Sequence, residues 1–154
     1  MIIELSQLLL TENIYNQIVK LYSTFSQIDT NILTFNKFNE IIKKLPNNHY
    51  IFVYILPTDE TVQDIQILGV ITLIIEQKLI HNGKCCGHIE DFVVLEESRK
   101  KGIGRKLVEY AKNVALQDNC YKCILDCDIS LEDYYIARNF IKKGTYMACY
   151  FDKN

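Results

Sequence analysis

The stretch Ile89 to Leu116, IEDFVVLEESRKKGIGRKLVEYAKNVAL, most limits what this chain can fold into. It reads as an apolar strand (Ile89 to Leu95), a charged turn with glycines (Glu96 to Gly104), and an amphipathic helix. In that helix Leu107, Ala111, Val114 and Ala115 recur at i, i+4, i+7 and i+8, the spacing of a core-facing stripe. The turn holds Arg99-x-x-Gly102-x-Gly104, with Lys100, Lys101, Arg105 and Lys106 around it. Glycine lets the main chain approach a ligand, and a helix N-terminus offers free N–H groups and a positive dipole end. With the cations added, the turn suits an anion such as a pyrophosphate. The plainer reading of the same glycines is a tight strand-to-helix turn. Neither the dinucleotide fingerprint G-x-G-x-x-G nor a phosphate loop ending in Gly-Lys-Ser/Thr fits.

The elements around this stretch follow from periodicity and breakers. Met1 to Leu5 predicts a short strand, and Thr11 caps a helix to about Phe25 with Ile14, Ile18, Leu21, Tyr22 and Phe25 on one face. Asp29 to Asn31 is a polar break. Thr34 caps a second helix carrying Phe35, Phe38, Ile41, Ile42 and Leu45, which Pro46-Asn47-Asn48 stops. Tyr50 to Leu56 predicts a strand closed by Pro57-Thr58-Asp59, and Ile65 to Glu76 a long one. Gly69 within it marks a bulge or a close backbone approach. Asn82-Gly83 signals a two-residue hairpin into a strand from Lys84 to Leu95. After the central helix come a strand (Tyr121 to Cys127), a short helix (Leu131 to Phe140) and a last strand (Thr145 to Phe151). The order β-α-α-β-β-β-α-β-α-β predicts mixed α/β architecture with an antiparallel meander and one helical crossover.

At 154 residues, 49% of them apolar, the chain predicts one domain with a sizeable core. A net charge of −2 argues against a nucleic-acid module. No apolar run reaches the length of a membrane span. MIIELSQLLL lacks a basic start and is broken by Glu4 and Gln7, unlike a signal peptide. The expectation is a cytosolic protein whose six cysteines are free thiols. Cys120, Cys123 and Cys127 do not suit a metal: on a strand the last two stand about 13 Å apart. No metal is expected.

Arg99-Lys100-Lys101-Gly102-Ile103-Gly104 resembles the R/Q-x-x-G-x-G/A acetyl-CoA signature of the GNAT superfamily of N-acetyltransferases. The surrounding text is similar to the glucosamine-6-phosphate N-acetyltransferase family within it. The residues are Gly87-His88-Ile89-Glu90-Asp91, Cys120-Tyr121-Lys122, Leu125-Asp126-Cys127, Tyr134-Tyr135, and the run Leu73-Ile74-Ile75-Glu76-x-Lys78-x-Ile80-His81. This likeness spans Leu73 to Tyr135; the part before it matches in pattern only.

The resemblance implies the GNAT acyl-CoA N-acyltransferase fold, a mixed, mostly antiparallel central sheet flanked by helices, as one domain over residues 1–154. It implies acetyl-CoA and glucosamine 6-phosphate as substrates, direct transfer in a ternary complex, and a homodimer. It places coenzyme phosphates on Arg99, Lys100, Lys101, Gly102, Ile103, Gly104 and Arg105. The main chain of Phe92, Val93 and Val94 would pair with the pantetheine arm, while their side chains can equally be core. Tyr135 would protonate the departing sulfur and touch the coenzyme; Tyr134 beside it reads as packing. The sugar would lie on Ser23, Lys78, His81, Glu90, Asp91, Tyr121 and Lys122.

Glu90 and Asp91 are adjacent carboxylates in an apolar strand, so one should be buried or the strand should bulge. An ion pair with Lys84 or Lys122 is the structural alternative to sugar binding. The base can be either carboxylate, a water, or a main-chain carbonyl holding the amine. Cys127 reads as a packed core thiol rather than an acyl carrier. The chain departs from the family at Leu131, where an asparagine is usual, and at Tyr150, near the place of a phosphate-binding arginine. Asn139 stands for a glycine and tolerates left-handed geometry. Other functions open to such a chain are acetylation of a different amine, such as a polyamine or peptide N-terminus, and binding of acyl-CoA without catalysis.

Overall fold

The computed structural model describes residues 1–57 and 65–151. Thr58 and Asp59, the expected close of the second strand, lie outside them. The chain divides into two units, Met1–Ile124 and Leu125–Asn154.

The first unit holds β1 (Ile2–Glu4), α1 (Glu12–Tyr22), α2 (Phe35–Lys44), β2 (His49–Pro57), β3 (Ile65–Gln77), β4 (Cys85–Val94), α3 (Ile103–Gln117) and β5 (Cys120–Ile124). Both expected caps form: Thr11 Oγ1 accepts from the Ile14 N–H and Thr34 Oγ1 from the Lys37 N–H, each at 3.3 Å. The α1 face buries Ile14, Tyr15, Ile18 and Leu21, and α2 buries Phe38 and Ile42. Phe25 and Ile41, expected on those faces, are exposed. For Phe25 the cause is local, because α1 ends at Tyr22 and turns there, Ser26 N–H donating to Tyr22 O at 3.0 Å.

The sheet runs β1-β2-β3-β4-β5, antiparallel except for the parallel β4–β5 pair. Parallel neighbours need a crossover, and α3 supplies it. Ile103, Leu107, Val108, Ala111 and Ala115 are its buried residues, while the expected Val114 is half-buried. Packing is tight at Gly87, where a Cβ would stand 3.1 Å from both Ala115 Cβ and Cys123 Sγ.

Three irregularities interrupt the register of the sheet, one in each of the β2–β3, β3–β4 and β4–β5 pairs. Tyr54 pairs with Gly69 but Ile55 with Ile67, so β3 carries an extra residue beside Gly69. A Cβ on Gly69 would meet Val93 O at 3.0 Å, so this glycine marks both a bulge and a close approach. Val70 pairs with Val93 and Thr72 with Glu90: β3 advances by two while β4 advances by three. Cys85 pairs with Cys120 and Cys86 with Lys122, leaving Tyr121 as the extra residue of β5. Bulges of this kind re-aim side chains.

The β3–β4 connection is longer than the two-residue turn that Asn82-Gly83 signals. Gln77 pairs with Cys85, and His81, Asn82 and Gly83 all take left-handed φ (54°, 59° and 73°). A two-residue turn needs only two such residues; the third opens the loop. Gln77 Nε2 ties it by donating to Lys78 O at 3.0 Å and Gly83 O at 2.6 Å.

The first residues of β3 are held by a side chain instead of a strand on the β4 side. Gln17 of α1 donates to Ile65 O at 3.0 Å and accepts from Ile67 N–H at 2.7 Å. Gln17→Ala removes both bonds and should lower unfolding stability by about 2 kcal/mol. Urea titration checks this, and an unchanged midpoint would show the bonds contribute nothing.

In the second unit, a single turn (Ile129–Leu131) leads into α4 (Glu132–Ile136). The expected helix to Phe140 is thus shorter, and Asn139 follows it with φ of 64°, in the left-handed geometry foreseen for it. β5 also stops at Ile124, so Cys127 lies beyond the strand and is exposed rather than packed in a core. Residues 145–151 form no strand, contrary to expectation. A strand must pair its N–H and C=O groups, and the described part of this unit offers none to pair with. Tyr146, Met147, Tyr150 and Phe151 are left 66 to 94% exposed.

Candidate active site

The parallel ladder between β4 and β5 ends at His88 and Ile124. Beyond it, Ile89, Glu90, Val93 and Val94 stay in register with β3, and among the described residues the ladder to β5 does not continue. Half the main-chain groups of an extended strand point to each edge, so a strand that parts from its neighbour turns one edge toward a ligand. Phe92, Val93 and Val94 lie in this segment; the Val93 side chain is buried.

The chain then turns through Lys100 (φ 62°) and Gly102 (φ 80°) into α3. Gly102 has nothing within 4 Å of where a Cβ would be, so its backbone conformation, not crowding, calls for glycine. No side chain caps α3. Lys106 N–H makes the first intrahelical bond, to Gly102 O at 3.1 Å, so the N–H groups of Ile103, Gly104 and Arg105 have no intrahelical acceptor. The first turn carries no acid but has Arg105 and Lys106, the reverse of what the helix dipole favours. An anion resolves that conflict, and a pyrophosphate fits the donor set. Arg99 is partly engaged, its Nε donating to Val94 O at 3.2 Å. Lys106 Nζ sits 5.7 Å from the centre of the Tyr54 ring.

Of the two outcomes expected for adjacent carboxylates the strand takes the bulge, which begins at Asp91, directly after Glu90. Asp91 has φ of 47° and is exposed; Glu90 is half-buried opposite Thr72. Tyr22 of α1 hydrogen-bonds Thr72, and its phenol is pushed up to about 12, first by burial and then by the Asp91 charge. Ser23 follows Tyr22 at the exposed end of α1.

The expected cations gather around the far ends of β3 and β5. The His81 ring stacks on Tyr121 (4.0 Å between centroids, 28° between planes), and Lys122 Nζ lies 5.3 Å from the Tyr121 ring centre. Lys78 stands three residues before His81, and its hydrogen bond to Glu76 is the first cause that raises its pKa. Glu76 Oε1 pairs with Lys78 at 2.6 Å and Oε2 with His88 Nε2 at 2.7 Å. A carboxylate only accepts, so His88 holds its proton on Nε2 toward Glu76. Sequence reasoning assigns no role to Tyr22, Thr72, Glu76 or His88. Thr72 and Glu76 on β3, and His88 and Glu90 on β4, are polar residues at spacings of four and two in apolar strands. That pattern places each pair on one sheet face and could have revealed them.

In the second unit Tyr135 is buried, its ring edge-on to Tyr134 (5.1 Å) and Phe140 (5.7 Å). Burial, then the neighbouring Tyr134 and Cys127, pushes its phenol up to about 12. Tyr134 packs under the Arg138 guanidinium at 3.4 Å. Leu131 is 45% exposed. Among the described residues no three His, Cys, Asp or Glu side chains converge as a metal set.

A mixed sheet whose parallel strands part at an uncapped, basic helix N-terminus is the frame of an acyl-coenzyme A transferase. The profile of the acetyltransferase (GNAT) family matches residues 15–144, and this chain belongs to that family. It is 36% identical over 99 residues to a rice (Oryza sativa subsp. japonica) protein named "Probable glucosamine 6-phosphate N-acetyltransferase 2", covering 64% of this chain and 60% of that one. It is 36% identical over 114 residues to the Dictyostelium discoideum glucosamine 6-phosphate N-acetyltransferase 1, covering 74% of this chain and 69% of that one. The chain thus spans less than two thirds of the rice relative's length. The crystal structure of glucosamine-6-phosphate N-acetyltransferase from Arabidopsis thaliana superposes with a TM-score of 0.80 at 27% identity, over 99% of this chain and 98% of that one.

Proposed function

We propose that this acetyltransferase moves the acetyl group of acetyl-CoA to the amine of D-glucosamine 6-phosphate, giving N-acetylglucosamine 6-phosphate and CoA. The observation that carries the reading is the cluster of Lys78, His81, Tyr121 and Lys122 around the β3–β4 connection, which offers cations and an aromatic surface to a sugar phosphate. The names of the relatives support it.

In this reading the N–H groups of Ile103, Gly104 and Arg105, with Arg99, Lys100, Lys101 and Gly102, hold the coenzyme phosphates. The main chain of Phe92, Val93 and Val94 aligns the pantetheine arm, and one N–H there polarises the thioester carbonyl. Glu90, Asp91 and Ser23 bind the sugar and orient its amine. The neutral amine attacks the carbonyl carbon; the C–N bond forms, the C–S bond breaks, and the nitrogen's proton passes to the Glu90 or Asp91 carboxylate or to water. Tyr135 protonates the departing thiolate. With Leu131 and Tyr150 where relatives carry asparagine and arginine, phosphate binding falls to the lysines. The reaction takes place in the cytoplasm and feeds UDP-N-acetylglucosamine synthesis. The exposed apolar tail at Tyr146–Phe151 pairs with a second copy in a homodimer, which sedimentation at micromolar concentration would show.

The test is thiol release from acetyl-CoA over a panel of amines. Glucosamine 6-phosphate should give the highest kcat/KM. Turnover of a polyamine or peptide amine with no CoA release from glucosamine 6-phosphate would overturn the sugar assignment, and coenzyme binding without turnover of any amine would overturn catalysis.

A further inference from the structure

Glu76 and Lys78 project from the end of β3, and His88 faces them from β4. One carboxylate serves both neighbours: Oε1 takes the Lys78 ammonium at 2.6 Å and Oε2 the His88 Nε2–H at 2.7 Å. The three side chains are 28 to 43% exposed, so the network is open to solvent and to a ligand. A lone lysine on a four-carbon stem must be ordered whenever it grips an anion, at a cost in side-chain entropy. Lys78 is ordered beforehand by that ion pair; it stands three residues before His81 and directly after Gln77, which pairs with Cys85 as Cys85 pairs with Cys120, and Tyr121 carries His81 and Lys122. An ammonium has three donors, and one spent on Glu76 leaves two for phosphate oxygens.

We propose that Glu76 is a positioning residue for sugar-phosphate recognition, holding Lys78 in the His81–Tyr121–Lys122 cluster so that it meets the substrate's phosphate already placed. This rests on the sugar-phosphate reading above. A simpler electrostatic effect has the opposite sign: a carboxylate near a phosphate dianion repels it, and neutralising that carboxylate tightens binding. The direction of change on Glu76→Gln therefore separates positioning from bystander charge.

The experiment is steady-state kinetics of wild type, Glu76→Gln and Glu76→Asp with glucosamine 6-phosphate and with unphosphorylated glucosamine, thermal melts confirming the fold. Glu76→Gln should raise KM for glucosamine 6-phosphate about tenfold and lower its preference over glucosamine by a similar factor. kcat and the KM for acetyl-CoA should move far less, and Glu76→Asp should restore part of the loss. Should the Gln variant melt early, the Asp variant gives the reading by itself: a raised KM supports positioning. An unchanged or lowered KM in the folded variant overturns it. A wild type that uses glucosamine 6-phosphate, beside an unaltered variant, removes only the role of Glu76. A wild type inert toward that sugar removes both readings.

Discussion

Tyr135→Phe should lower kcat about a hundredfold while leaving the KM for acetyl-CoA little changed. The phenyl ring keeps its edge contacts with Tyr134 and Phe140, so only the proton is lost. A positioned general acid contributes on the order of 10²–10⁴ in rate, and the lower figure suits a thiolate that can also leave unaided. With the Tyr135 phenol raised to about 12, it remains protonated through the neutral and mildly alkaline range. The sign is that of an acid whose neutral form the fold favours: donor competence is complete below pH 10 and declines as pH approaches 12. Any change in kcat between pH 6 and 9 therefore belongs to the amine or to other groups. Stopped or continuous thiol assays over that range, with Tyr134→Phe as the neighbouring control, decide the matter. A Tyr135→Phe enzyme within about twofold of wild type would reduce Tyr135 to packing.

Gly69→Val should be the most damaging single change among the glycines of the sheet. Its Cβ would stand 3.0 Å from Val93 O, 3.1 Å from Leu107 Cδ1 and 3.2 Å from Val94 Cγ2. The first contact is backbone and cannot rotate away, so β4 must shift. Overpacking of this kind costs about 3 kcal/mol, which corresponds to a Tm lower by roughly 10 °C in a domain of this size. Because the displaced residues are Val93 and Val94, whose main chain is assigned to the pantetheine arm, the KM for acetyl-CoA should rise as well. Gly69→Ala, with a smaller intrusion, should show the second effect with less of the first. A wild-type melt for Gly69→Val would show that β3 and α3 yield more freely than their packing implies.

Both changes act on features that the sequence disclosed unequally. Gly69 was legible because glycine weakens a strand interior, so an isolated one among β-branched and apolar residues signals a local demand on the backbone. The Glu90-Asp91 bulge was legible for a similar reason: two adjacent carboxylates cannot share one face of a regular strand. Thr11 and Thr34 marked helix starts through their hydroxyls, and the charged turn announced itself by Gly102 and Gly104 among cations. Local chemistry sufficed in each case. The length of the β3–β4 loop was not legible, since the count of left-handed residues depends on how His81 packs on Tyr121. The tail misled for the opposite reason: its apolar, aromatic content is strand-like, yet a strand exists only where another chain segment meets its backbone.

What the sequence determined by itself was the run of elements up to Ile124 and the turn of glycines and cations at Arg99–Arg105. These depend on periodicity, backbone permissiveness and charge, all of which act over a few residues. Only the tertiary structure decided where β4 and β5 part, and that His88 shares the carboxylate that holds Lys78. Those facts turn on register between strands twelve or more residues apart, and register is fixed by packing of the whole sheet.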